Sequence, residues 1–263
     1  MKKTFEYIGL TVLFLFSYYY TDKISSMMSN KDTIMLTLEE IDNSLTKECI
    51  EGYITDEGVV LGVSGISVDM EESYQNMKGF GFKEELTVYK ENTCVVNKNN
   101  SVDRYVIKGN PKKNSVSLIL KINTSNYLES YVNISLANEV ELSLIVNDNI
   151  YNNKKEYIES LNNKIDVLYN GNNVNEFKNL RNSFHCIYTK ENSMLKECEE
   201  EKLNTIKTDK YYTKNALSEI KKNIEKGDFI VLEENKVNLE EFNQIIKYIL
   251  SKGIEIKNIT NHL

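Results

Sequence analysis

The chain has 263 residues, 27% of them charged, with a formal net charge of −7. That length accommodates one mid-sized domain and an accessory region, and the acidic balance excludes a nucleic-acid binder, because no basic surface stands out to neutralise phosphates. Asn, Lys and Ile are abundant, Trp is absent and Pro occurs once, a bias that removes weight from Asn-rich patches as functional signals. The first element is MKKTFEYIGLTVLFLFSYYYTDK. Lys2 and Lys3 precede an apolar run from Tyr7 to Tyr20, and Tyr18, Tyr19 and Tyr20 stand where a small-residue cleavage site would be. Segment 1–22 is therefore expected to be an uncleaved single-pass anchor in the cell membrane with its N-terminus inside, although the run is short against the ~20 residues of a typical span. A cleaved signal peptide is the alternative, and either way the main body is expected to be extracytoplasmic.

That compartment permits disulfides. Cys49, Cys94, Cys186 and Cys198 lack the CxxC spacing of a zinc site or redox pair. Cys186 and Cys198 are the expected pair, one on a predicted strand and the other on the helix after it; four buried free thiols are the alternative.

Seven of the eleven glycines lie between Gly52 and Gly109, and the sole proline falls in GNPKKN. The domain boundary is therefore placed near residue 112, leaving 23–112 as an extracytoplasmic α+β extension. Within it, KDTIMLTLEEIDNSLTKE carries Ile34, Leu38, Ile41 and Leu45 at helical spacing. The run VVLGVSGISV reads as short strands broken by glycines, a second helix covers roughly 70–78, and LTVYKE and RYVIKG read as two more strands. The GFGF that follows the second helix is a turn and not a phosphate loop, since GxGxxG is absent.

From residue 113 to 263 strands and helices alternate. Strand-like runs are VSLILKI, VELSLIV, KIDVLY, SFHCIYT, LNTIK, DFIVLE and IEIKNI. Helix-like stretches between them are NYLESYVNISL, KKEYIESLN, NEFKNLR, SMLKECEEEK, NALSEIKKNIEK and NLEEFNQIIKYILSK. Asn238 is the expected N-cap of the last helix with Glu241 at its third position, and Gly253 ends it. Such alternation with buried strands predicts an α/β fold, a parallel sheet covered by helices, open or closed into a barrel.

This second half resembles the polysaccharide deacetylase family with the NodB homology domain. KGDFIVLEEN, a helix, and IIKYILSKGIEIKNITNHL look like the family's closing strand–helix–strand pattern, while VSLILKIN, VELSLIVND and IDVLYNG fall where its first strands belong. The segment GVSGISVDMEESYQNMK is similar to the extracytoplasmic extension of some Gram-positive members. The resemblance implies a distorted (β/α) barrel of the polysaccharide deacetylase type, preceded by the anchor and the α+β extension. It also implies a metal-assisted amide hydrolysis of carbohydrate, with an Asp-Asp pair ending the first strand and an H-x-x-x-H pair later. Here Leu120 and Lys121 occupy, to within a residue, the acidic positions. LYNGNNVNEFK, with Asn170, Asn172 and Asn173, stands at the histidine pair, and Glu233 and Glu234 at the late motif. The chain has only two histidines, His185 and His262, which cannot form that pair. Lys121 therefore marks a lost metal site, and no metal, cofactor or catalytic residue is assigned.

The residues expected to line the cleft at the strand ends are Lys121, Asn123, Asp148, Asn170, Asn172, Asp209, Glu233 and Glu234. Lys121 reads as a lysine that reaches solvent or pairs with a carboxylate, and His185 as a core histidine. Glu233 and Glu234, being adjacent, point in opposite directions and do not form a pair. A calcium site from Asp148 and Asp209 has no support in spacing, and ECEEEK reads as a solvated helix face. Three functions stay open. One is an inactive deacetylase-like module binding a cell-wall glycan or an envelope protein; the others are an active cell-wall hydrolase with a rearranged site, and a scaffold in an envelope complex.

Overall fold

A computed structural model describes residues 10–21, 32–178, 184–190 and 193–263. Lys2 and Lys3, the exit of the expected anchor and the end of NEFKNLR lie outside the described residues. The first elements are α1 (residues 10–21), α2 (Thr33–Leu45), β1 (Tyr53–Ile54), β2 (Val59–Val60), β3 (Gly65–Val68), α3 (Met70–Met77) and β4 (Tyr89–Asn92). The chain divides into two compact units, Met1–Glu48 with Gly65–Asn92 and Cys49–Ser64 with Thr93–Leu263. This division does not coincide with a boundary near residue 112, because strands from 53–60 and 105–108 pair into the large sheet of the second unit.

In the smaller unit Asp32 caps α2 by accepting from the Ile34 N–H at 3.0 Å. The helix buries Ile34 and Leu38 with Val68 and Met77, the helical spacing expected of this stretch. The Asp42 carboxylate accepts from the Val68 N–H at 2.7 Å and so fastens α2 to the antiparallel β3–β4 pair. Gly79 and Gly81 have φ of +93° and +83°, as the GFGF turn requires. Among the described residues no helix is long and apolar enough to cross a membrane; α1 is exposed along its length.

The larger unit continues with β5 (Tyr105–Lys108), β6 (Ser115–Lys121), α4 (Leu128–Ala137), β7 (Leu142–Val146), α5 (Asp148–Ser160), β8 (Ile165–Tyr169), α6 (Val174–Lys178) and β9 (Phe184–Ile187). Then come α7 (Leu195–Glu200), β10 (Thr205–Ile206), β11 (Tyr211–Tyr212), α8 (Ala216–Asn223), β12 (Phe229–Glu233), α9 (Lys236–Ser251), β13 (Glu255–Ile256) and α10 (Ile259–His262). Among the described residues the strands form one sheet in the order β1-β2-β5-β10-β9-β8-β7-β6-β12-β11, with β13 also paired to β6. Every pairing except β1–β2 is parallel. This is an α/β half-barrel.

Strand parity sorts the core into two layers. Leu118 and Leu120 of β6 point out into a layer with Tyr131 of α4 and Phe242 and Ile246 of α9. Ile119, between them, points in and meets Ile145, Leu168, Ile187, Ile206, Phe229 and Val231 from strands across the sheet. Burial on both faces explains why these strands read as continuous apolar runs, each fully buried Leu or Ile contributing about 1.5–3 kcal/mol.

The ends of the strands are treated differently. At their N-terminal ends α10 forms a floor: the Ile259 N–H donates to Ser143 Oγ at 2.9 Å, and Thr260 donates its N–H and hydroxyl to Asp166 at 2.8 and 2.9 Å. Ser117 Oγ and His262 Nδ1 lie 2.7 Å apart. Burial, with Lys113 nearby, pushes the His262 imidazole down to about 3, so the ring sits there neutral.

Two local expectations are corrected. Helix α9 begins at Lys236, capped by Asn235, which accepts from the Asn238 N–H at 2.8 Å. Asn238 is instead buried and donates to the carbonyls of Tyr212 and Glu233 at 3.0 and 2.9 Å. Tyr211–Tyr212, left outside every predicted strand and helix, pairs with β12 as strand β11.

Candidate functional site: a lysine- and tyrosine-lined cleft

The C-terminal ends of the parallel strands surround a cleft of about 750 Å³, within the range of roughly 300–1,000 Å³ usual for ligand sites. Its floor is Ile145, Ile187 and Val231, and its walls carry Lys121, Lys190, Lys207, Asp209, Glu233, Tyr188 and Tyr211. Parity explains the choice. Ile119 faces inward, so Lys121 two residues on faces the mouth, and Val231 sends Glu233 there in the same way. The Lys121 ammonium lies 5.5 Å from the centroid of the Tyr211 ring. Lys207 lies 5.6 Å from Tyr188 and 5.3 Å from Tyr105, two rings in edge contact with each other. These are cation–π distances.

No family model matches the sequence, and no curated protein matches it. Solved structures do. BA3943 of Bacillus anthracis, a CE4 family pseudoenzyme, superposes with a TM-score of 0.61 at 17% identity, covering 88% of this chain and 95% of that one. A BA3943 mutant with restored enzymatic activity gives 0.61 at 16% identity, covering 88% and 98%. Bacillus subtilis PdaA, a family 4 carbohydrate esterase, gives 0.50 at 13% identity, covering 63% of this chain and 86% of that chain. The chain has the CE4 carbohydrate esterase fold. It is the polysaccharide deacetylase fold expected from the sequence, and the BA3943 match extends well beyond the segment 113–263.

The CE4 fold implies a metal held by acidic and imidazole ligands at the strand ends, and the residues present here do not fit one. Among the described residues lining the cleft the anionic donors are Asp209 and Glu233, and neither histidine is there. His185 sits on β9 opposite Leu168 of β8, where burial, with Lys98 nearby, pushes its ring down to about 4. His262 lies in α10, against Ser117 at the opposite, N-terminal end of β6. Among the described residues the one grouping of three potential ligands close enough to share an ion is Cys49, Glu51 and Cys94, and its two cysteines are disulfide-bonded to each other. Cys186 and Cys198 form a second disulfide. The Cys49–Cys94 bond was not read from the sequence.

Of the eight residues expected at the cleft, Lys121, Asp209 and Glu233 line it. Asn123 donates to Glu233 from the β6–α4 loop at 2.9 Å. Of the other four, Glu234, Asp148 and Asn170 hold loops or strand ends, and Asn172 is held through its backbone N–H. Glu234, pointing away from Glu233 and 4% exposed, accepts from the N–H groups of Asn123, Thr124 and Ser125, each at 2.9 Å, and of Tyr127 at 2.7 Å. It clamps the loop that follows β6. Asp148, the first residue of α5, accepts from the Tyr169 hydroxyl and from the Asn172 N–H, the latter at 2.9 Å. The Tyr169 oxygen accepts in turn from the Asn173 N–H at 2.7 Å. Gly171 is required beside this pair, because a Cβ there would lie 2.4 Å from the Tyr169 hydroxyl. Asn170 joins neighbouring strand ends, donating to the Ile187 carbonyl at 2.7 Å and accepting from Thr189 at 3.2 Å. Asp148 is thus engaged in the turn that would carry the histidine pair, and Leu120 faces the helix layer.

The residues that sequence reasoning missed are Tyr188, Lys190, Lys207 and Tyr211. Lys207 follows and Tyr211 begins a two-residue strand, which gives no alternation from which to read a facing direction, and Tyr188 and Lys190 lie past the end of the four-residue β9.

Proposed function

We propose that the protein is a catalytically silent CE4-fold module of the cell envelope that holds a saccharide in the cleft at the strand ends. The observation that carries this reading is Lys121. It places an ammonium group at the mouth where the family's acidic pair would be, in a cleft without imidazole. An ammonium there repels a divalent cation, and the described residues of the cleft offer no donor set able to lower the pKa of a bound water. The cleft keeps what binding needs: an apolar floor, flat tyrosine rings against which a pyranose can lie, and polar groups around the rim. In this reading segment 1–22 tethers the protein to the membrane and the cleft unit works outside it.

The test is acetate release from N-acetylated glycan oligomers and peptidoglycan by the full-length chain in detergent, with zinc, cobalt or manganese supplied. Retention of the same oligomers is measured in parallel. The expected result is retention without release above a metal-only blank. Metal-dependent release that Glu233→Gln or Asp209→Asn abolishes would instead identify a hydrolase with a relocated centre.

A further inference from the structure

We infer that the cleft selects an acidic saccharide, one bearing carboxylate or phosphate substituents, over a neutral one. The inference rests on the proposal that the cleft is a saccharide site and names the charge of its occupant. The whole chain carries a net charge of −7, yet among the described residues the cleft wall reverses that sign, with Lys121, Lys190 and Lys207 against Asp209 and Glu233. The carboxylate of Glu233 is oriented by the Asn123 side-chain amide at 2.9 Å.

The lysines are also placed in a particular way. Lys121 ends β6 and Lys207 directly follows β10, and each ammonium lies over a tyrosine ring of the cleft, Tyr211 at 5.5 Å and Tyr188 at 5.6 Å. Each pair therefore offers an apolar plane beside a fixed positive charge. A sugar ring lying against the plane would direct an anionic substituent at the adjacent ammonium. Thr213, which also lines the cleft, supplies a hydroxyl for the neutral positions of the ring. A cation or a basic peptide would meet the ammonium groups first and gain nothing from the rings, whereas a neutral sugar would use the rings and leave the charges idle.

The test compares retention of three probes of matched length by the full-length protein in detergent: oligogalacturonate for carboxylate, glycerol phosphate oligomers for phosphate, and neutral N-acetylglucosamine oligomers. At low salt at least one acidic probe is expected to bind about tenfold more tightly than the neutral one, with the advantage shrinking as salt is raised. Lys121→Gln and Lys207→Gln should each remove most of the acidic-over-neutral advantage, and Lys190→Gln, on the exposed rim, should remove less. Which acidic probe is retained assigns carboxylate or phosphate. Equal binding of acidic and neutral probes overturns this inference and leaves the saccharide-module reading standing. Failure of all three to bind overturns both. An acidic preference untouched by Lys121→Gln and Lys207→Gln, in variants whose melting matches the parent, moves the anion site elsewhere and overturns the assignment to this cleft.

Discussion

Replacing Glu234 by alanine tests whether one buried carboxylate organises the loop behind the cleft. Its two oxygens accept four backbone N–H groups between Asn123 and Tyr127. Hydrogen bonds to a charged group contribute about 1.5–3 kcal/mol each. The N–H groups of Asn123 and Thr124 belong to exposed residues and regain water when the carboxylate is lost, so they are discounted. Those of Ser125 and Tyr127 belong to half-buried residues, and at the lower figure the pair gives a loss of about 3 kcal/mol. For a unit of this size that corresponds to a fall of roughly 6–12 °C in melting temperature, read by near-ultraviolet circular dichroism. Glu234→Gln keeps the volume and one acceptor oxygen, and should lose about half as much. Because Asn123 rides on the same loop, Glu234→Ala should also weaken saccharide retention. If Glu234→Ala melts within 2 °C of the parent, on the same scale of roughly 2–4 °C per kcal/mol, the clamp does not organise this loop and the reasoning is refuted.

Three further outcomes are expected. His262 is held at about 3 in the folded protein against an ordinary 6.5. The unfolded chain therefore binds the extra proton first, and stability that is complete above pH 6.5 falls as pH drops toward the folded value, by up to about 1.4 kcal/mol per pH unit. Urea unfolding between pH 7 and pH 4 should show this slope, and His262→Asn should reduce it to the share of His185, itself held down to about 4. Reducing or replacing the Cys186–Cys198 disulfide, which spans 12 residues of chain, should cost about 3 kcal/mol, measured as a shift in urea midpoint between Cys186→Ala/Cys198→Ala and the parent under non-reducing conditions. Asp228, 4% exposed, accepts from Lys210 and from the Glu225 N–H at 2.7 Å and lies 3.5 Å from Lys108. Asp228→Ala leaves Lys210 the Asn223 carbonyl and Lys108 its Glu225 partner at 2.6 Å, and should destabilise by about 1.5–3 kcal/mol; a loss under 1 kcal/mol in the same titration would show that solvent screens the cluster.

Much of the half-barrel was legible because its strands are buried on both faces. VSLILKI, VELSLIV and DFIVLE are apolar runs of the right length, and the helices between them carry apolar residues at helical spacing. The site was legible only where parity could be counted along a strand long enough to count on. Glu233 and Glu234 show both sides of this. Their opposite directions follow from adjacency, but that Glu234 closes on a loop more than a hundred residues earlier depends on β12 lying beside β6, which no local pattern reveals. Asp148 and Asn170 follow strands and so looked like cleft residues, yet Asp148 holds the Tyr169 hydroxyl and the Asn172 N–H, and Asn170 joins neighbouring strand ends. Tyr211 and Lys207 went unseen because β10 and β11 are two residues long and their place comes from pairing with distant strands. The same holds for residues 53–60 and 105–108, whose glycine-broken pieces gave no sign that they extend the large sheet.

The pairing of β6 with β12 also governs how the protein must acquire its shape. Ser117–Lys121 take Phe229–Glu233 as parallel neighbours, and Ser115 and Val116 take Glu255 and Ile256. The first long strand made during synthesis thus keeps one edge open until over a hundred more residues have emerged. Loop closure of that span comes before any contact repays it, a topology that folds slowly. The clamp on residues 123–127 forms only when that edge is filled. A chain threaded through a membrane as it lengthens would cross with its apolar first strand unpartnered and its cleft unmade, and would assemble the cleft last, on the far side.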